Sequence, residues 1–116
     1  MSSRAPIGYV AIPKVEFCTN QGCKSIQLKD NFTTEFTYYN ILFNIDKVKN
    51  LGEGTTFAEI SKTTLSAVEL AFPPSKPEQT KIAEILSTVD RAIEKTEALI
   101  AKQQRIKTGL MQDLLT

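Results

Sequence analysis

The 116-residue chain contains no histidine and only two cysteines, and its acidic and basic residues nearly balance at 13 and 14. Without histidine, the chain lacks both the commonest general base and the commonest metal ligand. No serine lies in a G-x-S-x-G sequence, and no carboxylates are grouped as metal ligands. These absences argue against an enzyme and predict a binding protein without catalytic residues, metal or cofactor.

The two cysteines, Cys18 and Cys23, flank the polar sequence Asn20-Gln21-Gly22. Their spacing matches neither a redox C-x-x-C pair nor half of a common zinc site. We therefore interpret both as reduced, partly buried side chains, with a disulfide across the turn as the alternative.

A strong charge of one sign and long apolar runs are also missing. With a net charge of +1, the chain has no polybasic arm, which argues against broad electrostatic capture of nucleic acid but leaves a local basic face open. No apolar segment approaches the length of a membrane span, and residues 1–10 lack the apolar core of a secretion signal. We expect a cytoplasmic protein that has no membrane partner.

What the chain does contain is a long helical segment at residues 77–116. Between Glu78 and Leu115 there is no proline and one glycine, and most residues are strong helix formers. At 1.5 Å per residue such a helix runs roughly 55 Å, beyond the diameter of a domain built from the remaining residues. We therefore expect it to project.

Apolar residues recur along this helix in a heptad-like stripe that is sustained for about five heptads. Few opposite charges are spaced to support the helix along its own surface, so its stability should come from burying the stripe. Either the helix packs on its own domain, or it forms a coiled coil with a second chain or with another part of a larger one. For the coiled coil, the predicted partner-helix interface is Ile82, Leu86, Val89, Ile93, Ile100, Ile106, Leu110 and Leu114.

Residues 1–76 predict a small mixed α/β module. Short β-rich or alternating runs predict strands, and an apolar run after good helix-start residues predicts the main helix. The predicted strands are 7–12, 15–18, 25–29 and 68–72, the main helix is 34–49, and short helices are expected at 57–60 and around Leu65. The fold class is therefore α+β, a small mixed α/β module followed by one long projecting C-terminal coiled-coil helix.

A specific pattern spans the junction between the module and the helix. Its residues are Phe72-Pro73-Pro74, Pro77-Glu78-Gln79, Ile82-Ala83, Leu86, Asp90 and Ile93. The pattern resembles the end of a target-recognition domain and the following helix in the specificity subunit of type I restriction-modification enzymes, and residues 106–116 resemble that family's chain end. Stretches similar to the second half of such a recognition domain are 3–8, 20–22, 36–39 and 54–62.

The resemblance implies a protein that reads DNA sequence for a methyltransferase and a nuclease-translocase. In that family, two recognition domains are held apart by two antiparallel helices, which also dock the modification subunits. The implied partners are double-stranded DNA, the methyltransferase subunits, indirectly the restriction subunit, and a second specificity helix or another copy of the chain. Because this chain carries one helix and starts midway through a recognition domain, we expect either a piece of a longer chain or a half that pairs with another copy.

Loop placement and donor chemistry suggest which residues contact DNA. Arginine and lysine suit guanine or phosphate, and asparagine and glutamine suit adenine edges, although a structural role is open for each residue. The candidates are Arg4, Asn20, Gln21, Lys24, Thr55, Thr56 and Lys62. The leading hypothesis is a partial DNA-specificity component of a type I complex. The alternative is a truncated specificity chain that acts as a dimerisation or protein-interaction module without sequence-specific DNA reading.

Overall fold

A computed structural model describes residues 1–52 and 59–116 of the chain. The chain divides into two compact units, Met1–Ala83 and Glu84–Thr116. The described residues are mostly helical, and their helices are α1 (Thr34–Phe43), α2 (Ile45–Lys49), α3 (Lys62–Ser66) and α4 (Lys76–Leu115). None of the helices in these described ranges is long and apolar enough to cross a membrane.

The predicted strands do not form among the described residues. Strand pairing there is limited to two isolated antiparallel bridges, one between Ser2 and Cys23 and one between Arg4 and Glu59. A β-rich run becomes a strand only when a second segment pairs with it in a continuous ladder. The described backbone hydrogen bonds of the run 7–12 with Ser2, at Gly8 and Tyr9, do not extend into such a ladder. The α+β class is therefore not confirmed, and the observed fold is mostly helical with one long C-terminal helix.

The predicted helix over residues 34–49 is interrupted at Asn44, which separates α1 from α2. Asn44 has φ −98° and ψ 14°. Its side-chain nitrogen donates to the backbone carbonyl of Asn40 at 2.9 Å and to the Asn40 side-chain oxygen at 3.0 Å. The Asn44 N–H also donates to the Asn40 carbonyl at 3.1 Å, so at the break the side chain and the helix ladder share this acceptor.

The core of the first unit is small. Its fully or nearly buried apolar side chains are Ile41, Val48, Ile60 and Ala83. Beside them the rings of Phe32 and Phe36 pack against Phe72, with ring centroids 4.7 Å and 5.4 Å from it. The helix expected around Leu65 is confirmed as α3. Of the helix expected at 57–60, residues 57 and 58 lie outside the described residues, and Glu59 and Ile60 are not helical.

The segment Met1–Arg4 lies between two other parts of the first unit. On one side, Ser3 donates its N–H to the Gly22 carbonyl at 2.8 Å, and Lys24 donates its N–H to the Met1 carbonyl at 2.8 Å. On the other side, Ile60 donates its N–H to the Ser3 carbonyl at 2.9 Å. Three stretches that are distant in sequence therefore meet at this segment.

The first two turns of α4 are joined to the rest of the first unit by Gln79, which is 1% exposed. Its side-chain oxygen accepts the Thr33 N–H at 3.0 Å. Its side-chain nitrogen donates to the Pro73 carbonyl at 2.9 Å and to the Asn31 carbonyl at 3.2 Å. The Gln79 carboxamide therefore forms hydrogen bonds with three backbone groups that have no partner in a helix or a sheet.

The second unit consists of the remainder of α4 and the residue that follows it. Alanine, glutamate, lysine, glutamine and leucine dominate this stretch, which explains the continuous helix. Its large apolar side chains are solvent-exposed, namely Ile85, Leu86, Val89, Ile93, Leu99, Ile100, Ile106, Leu110, Met111, Leu114 and Leu115. The expectation of one long C-terminal helix is confirmed.

Replacing Gln79 with Leu should destabilise the first unit strongly. The change puts an apolar side chain of similar size in place of the carboxamide. It leaves the Thr33 N–H and the Pro73 carbonyl, in half-buried residues, and the Asn31 carbonyl, in an exposed residue, without this partner. We expect the free energy of unfolding to fall by about 2–4 kcal/mol, measured by urea denaturation. Gln112→Leu, on an exposed position of the same helix, is the control and should change it by less than about 0.5 kcal/mol. Equal effects of the two changes would contradict the role assigned to Gln79.

Candidate nucleic-acid interface

Two of the predicted DNA-contacting cations, Arg4 and Lys24, meet at a single carboxylate, that of Glu59. The Arg4 Nε lies 3.3 Å from Glu59 Oε2, and the Lys24 Nζ lies 4.0 Å from Glu59 Oε1. The side chains of Arg4, Glu59 and Lys24 are 56%, 40% and 26% exposed. The cluster therefore lies at the surface, where a ligand can reach it.

The two isolated bridges explain why these residues meet. The antiparallel bridge between Arg4 and Glu59 places those two residues side by side, and the bridge between Ser2 and Cys23 brings Lys24 to the same segment. Ser3 and Ile60 are fully buried beneath the cluster. Arg4 and Glu59 therefore each adjoin one fully buried residue in the chain, Ser3 and Ile60.

The predicted turn at residues 20–22 is confirmed, and Asn20 holds it. The Asn20 side-chain oxygen accepts the Gly22 N–H at 2.9 Å, and the Asn20 carbonyl accepts the Cys23 N–H at 3.2 Å. This is the side-chain-to-backbone turn that asparagine favours. The hydrogen bond occupies the oxygen and leaves the amide nitrogen available as a donor. Gln21 is exposed at the same turn.

The turn lies beside Arg4. A Cβ added at Gly22 would be 3.2 Å from the Asn20 side-chain oxygen and 3.8 Å from the Cδ of Arg4. The structure thus brings Arg4, Asn20 and Lys24 into one surface region, with Gln21 adjacent in the chain. Because guanidinium, amide and ammonium groups are the donors that bind phosphates and base edges, the region has the chemistry of a nucleic-acid contact.

Lys62 is exposed at the first position of α3, where Ser61 caps the helix by accepting the Thr64 N–H at 3.0 Å. Lys62 and Lys24 line the same open cavity of about 840 Å³. Lys29, which the sequence analysis did not select, also lines it. Thr55 and Thr56 lie outside the described residues.

Glu59 and Lys29 are the residues of this region that the sequence did not reveal. Glu59 follows Gly52 and Gly54 in the sequence and belongs to no recognisable motif. Its contact with Arg4 and Lys24 depends on bridges between distant segments, so no local spacing could have identified it.

Both cysteines are free thiols. Cys23 is half-buried, as expected, but Cys18 is exposed, so partial burial of Cys18 was a wrong expectation. Within residues 1–52 and 59–116, no three histidine, cysteine, aspartate or glutamate side chains are grouped so that they could hold a metal ion.

The predicted partner-helix residues fall into two groups. Ile82 belongs to the first unit and is half-buried there. The others belong to the second unit and are exposed, with Val89 at 54% and Leu114 at 77%. The exposed part of the interface consists of Leu86, Val89, Ile93, Ile100, Ile106, Leu110 and Leu114.

Comparison with known proteins gives this geometry a context. The family model for the type I restriction modification DNA specificity domain matches residues 1–104. The chain is 45% identical over 98 residues to the type I restriction enzyme MjaIX specificity subunit of Methanocaldococcus jannaschii, which covers 81% of this chain and 22% of that protein. It is 36% identical over 83 residues to the type I restriction enzyme EcoDI specificity subunit of Escherichia coli. That alignment covers 72% of this chain and 18% of that protein.

A putative type I restriction enzyme MjaX specificity subunit, also from Methanocaldococcus jannaschii, is 31% identical and aligns with 100% of this chain and 27% of its own length. The chain therefore spans between 18% and 27% of the length of these three relatives.

Two substitutions at Asn20 should distinguish its structural role in the turn from a role in contacting DNA. Asn20→Ala removes the acceptor of the Gly22 N–H and should lower the free energy of unfolding by about 1 kcal/mol. Asn20→Asp keeps that oxygen and should preserve stability, but it removes the amide donor and repels phosphate, so DNA binding should weaken. Urea denaturation and fluorescence anisotropy with a labelled duplex measure the two effects. Equal destabilisation by both changes would show that the hydrogen bond to Gly22 does not hold the turn.

Proposed function

Because the chain belongs to the family of type I restriction modification DNA specificity domains, we propose that it is a DNA sequence-specificity component, in partial form, of a type I restriction-modification complex. The observation that carries the proposal is the extent of the family match, which runs from residue 1 to residue 104 and so includes the first unit and most of α4. In this proposal the chain performs no catalysis and needs no cofactor. It contributes DNA contact and the positioning of modification subunits.

Residues 1–76 would act as the partial target-recognition module. The support is the surface region in which Arg4, Asn20 and Lys24 present donors of three kinds within one neighbourhood. Gln21 and Lys62 would extend this contact, since both are exposed. Their side chains suit both phosphate contacts, which position a protein on the duplex, and base-edge contacts, which specify sequence.

Residues 77–116 would act as the coiled-coil and docking helix. The support is the exposed apolar stripe on α4. From Leu86 to Ile93 its residues are spaced by three and four, as in coiled coils, and the later ones lie four to seven positions apart. Burying such a stripe against a second specificity helix, or against another copy of the chain, removes apolar surface from water and stabilises the pair. The paired helices would then offer a surface to the modification subunits, and through them to the restriction subunit.

The second candidate function is a protein-interaction module that no longer reads DNA sequence. The stripe favours it, because the large apolar side chains of α4 from Ile85 to Leu115 are exposed in the single chain. Under this alternative the helix would still pair, and the first unit would bind all duplexes alike.

DNA selection and salt titration should separate the two functions. A pool of random duplexes is enriched on the chain, alone and with modification subunits, and the affinities for the enriched and the random duplexes are compared across salt concentrations. Sequence reading should give a gap of about a thousandfold or more that persists at physiological salt. Equal binding that salt abolishes would contradict sequence reading and leave the interaction module.

Replacing Val89 and Ile93 together with Asp should abolish helix pairing. Both side chains are about half exposed in the single chain, so the folded chain should tolerate the changes, whereas a paired helix would bury two unpaired charges. We expect association to weaken by at least about a hundredfold, measured as solution mass by light scattering with and without modification subunits. Ala98→Asp with Lys102→Asp, on the opposite side of the helix, is the control and should leave the mass unchanged. An oligomer that survives Val89→Asp with Ile93→Asp would place the interface elsewhere.

A further inference from the structure

The carboxylate of Glu59 is placed where it competes with DNA for two cations of the candidate interface. We propose that Glu59 is a specificity-determining residue that suppresses binding of random-sequence duplex through Arg4 and Lys24. The inference rests on the proposed function, because it assigns a role within the same surface.

The geometry shows one carboxylate shared between two cations. Oxygen Oε2 of Glu59 contacts the Arg4 guanidinium at 3.3 Å, while oxygen Oε1 lies 4.0 Å from the Lys24 ammonium. Each oxygen therefore serves a different cation. A phosphate that took both cations would have to displace both contacts.

The backbone holds Glu59 in this position. Glu59 forms an antiparallel bridge with Arg4. The next residue, Ile60, is fully buried and donates its N–H to the Ser3 carbonyl at 2.9 Å. The backbone of Glu59 therefore cannot move away when DNA approaches without breaking this pairing, and only rotation of the side chain can move the carboxylate. Its negative charge stays close to whatever Arg4 and Lys24 bind.

The two ion pairs are partly exposed, and pairs of this kind are weak. Arg4 and Lys24 are therefore available to a ligand, but any phosphate that binds them also meets the charge of Glu59. Among the groups that the DNA major groove presents, the amino groups of cytosine and adenine can donate to a carboxylate, whereas phosphate cannot. Glu59 thus disfavours contact of this region with the DNA phosphate backbone and permits contact with a base edge that carries an amino group.

The test compares Glu59→Gln with Glu69→Gln in the full chain. Glu69 is exposed and forms no ion pair within the described part of the chain, so its substitution removes the same charge without freeing a cation. Fluorescence anisotropy with a random-sequence duplex at several salt concentrations is the measurement. Glu59→Gln should bind about three- to tenfold more tightly at low salt. The slope of log K against log salt should steepen by about 1–2, since each added phosphate contact contributes roughly 0.9.

Three further variants complete the test. Glu59→Asp keeps the charge and should retain the weak binding of the parent chain. Glu59→Gln in a background of Arg4→Gln and Lys24→Gln should have no more effect than Glu69→Gln, because no cation remains to be freed. Thermal unfolding of every variant confirms that the compared chains are folded.

The outcomes distinguish this inference from the proposed function. If Arg4→Gln and Lys24→Gln weaken DNA binding but Glu59→Gln behaves like Glu69→Gln, the role of Glu59 is overturned and the proposed function stands. If Glu59→Gln strengthens binding equally when both cations are absent, the role is also overturned, because the effect is one of net charge. If neither cation substitution changes binding, or no duplex binds at any salt concentration, the DNA surface itself is wrong and both proposals fail.

Discussion

The arrangement of the first unit depends on one buried carboxamide, that of Gln79. It joins the start of α4 to the loop before α1 and to Pro73, through hydrogen bonds with the Thr33 N–H and with the Asn31 and Pro73 carbonyls. A buried backbone group without a partner is costly, and an apolar side chain at this position could not supply these partners. Pro77, in the first turn of α4, requires no such help because it has no N–H. The hydrogen bonds of one side chain therefore connect the first turn of α4 to both of these segments.

This dependence also explains how far the sequence could predict the structure. The long helix follows from local preferences, because helix formers and the absence of proline act residue by residue along α4. The turn at Asn20 is likewise local, since the side chain bonds to a backbone group two residues away. Strands at residues 7–12 or 25–29 needed a pairing segment, and local pattern carries no information about whether one is present. The hydrogen bonds of the Gln79 side chain could not be predicted from local pattern either, because its partners lie up to 48 positions away.

The candidate interface shows the same limit. Donor chemistry selected Arg4, Asn20 and Lys24, and the structure brings these three together, although their contact with DNA stays a prediction. Sequence reasoning could not find Glu59, because its relation to the cations arises from two single bridges between distant segments. A nearly neutral chain thereby holds a small surface region in which charges of both signs meet. Such a surface depends on the placement of individual charges more than on their sum.

The difference in exposure between the two thiols has a practical consequence. Cys18 is exposed, whereas Cys23 is half-buried and forms a backbone bridge with Ser2. Close to Cys18, the Thr19 and Ser25 hydroxyls lie 3.3 Å apart, so the segment that carries this thiol is joined to the far side of the Asn20 turn. A thiol-reactive fluorophore can therefore be attached at Cys18 without a new cysteine being engineered. The label would then lie two positions along the chain from Asn20, one of the proposed DNA-contacting residues.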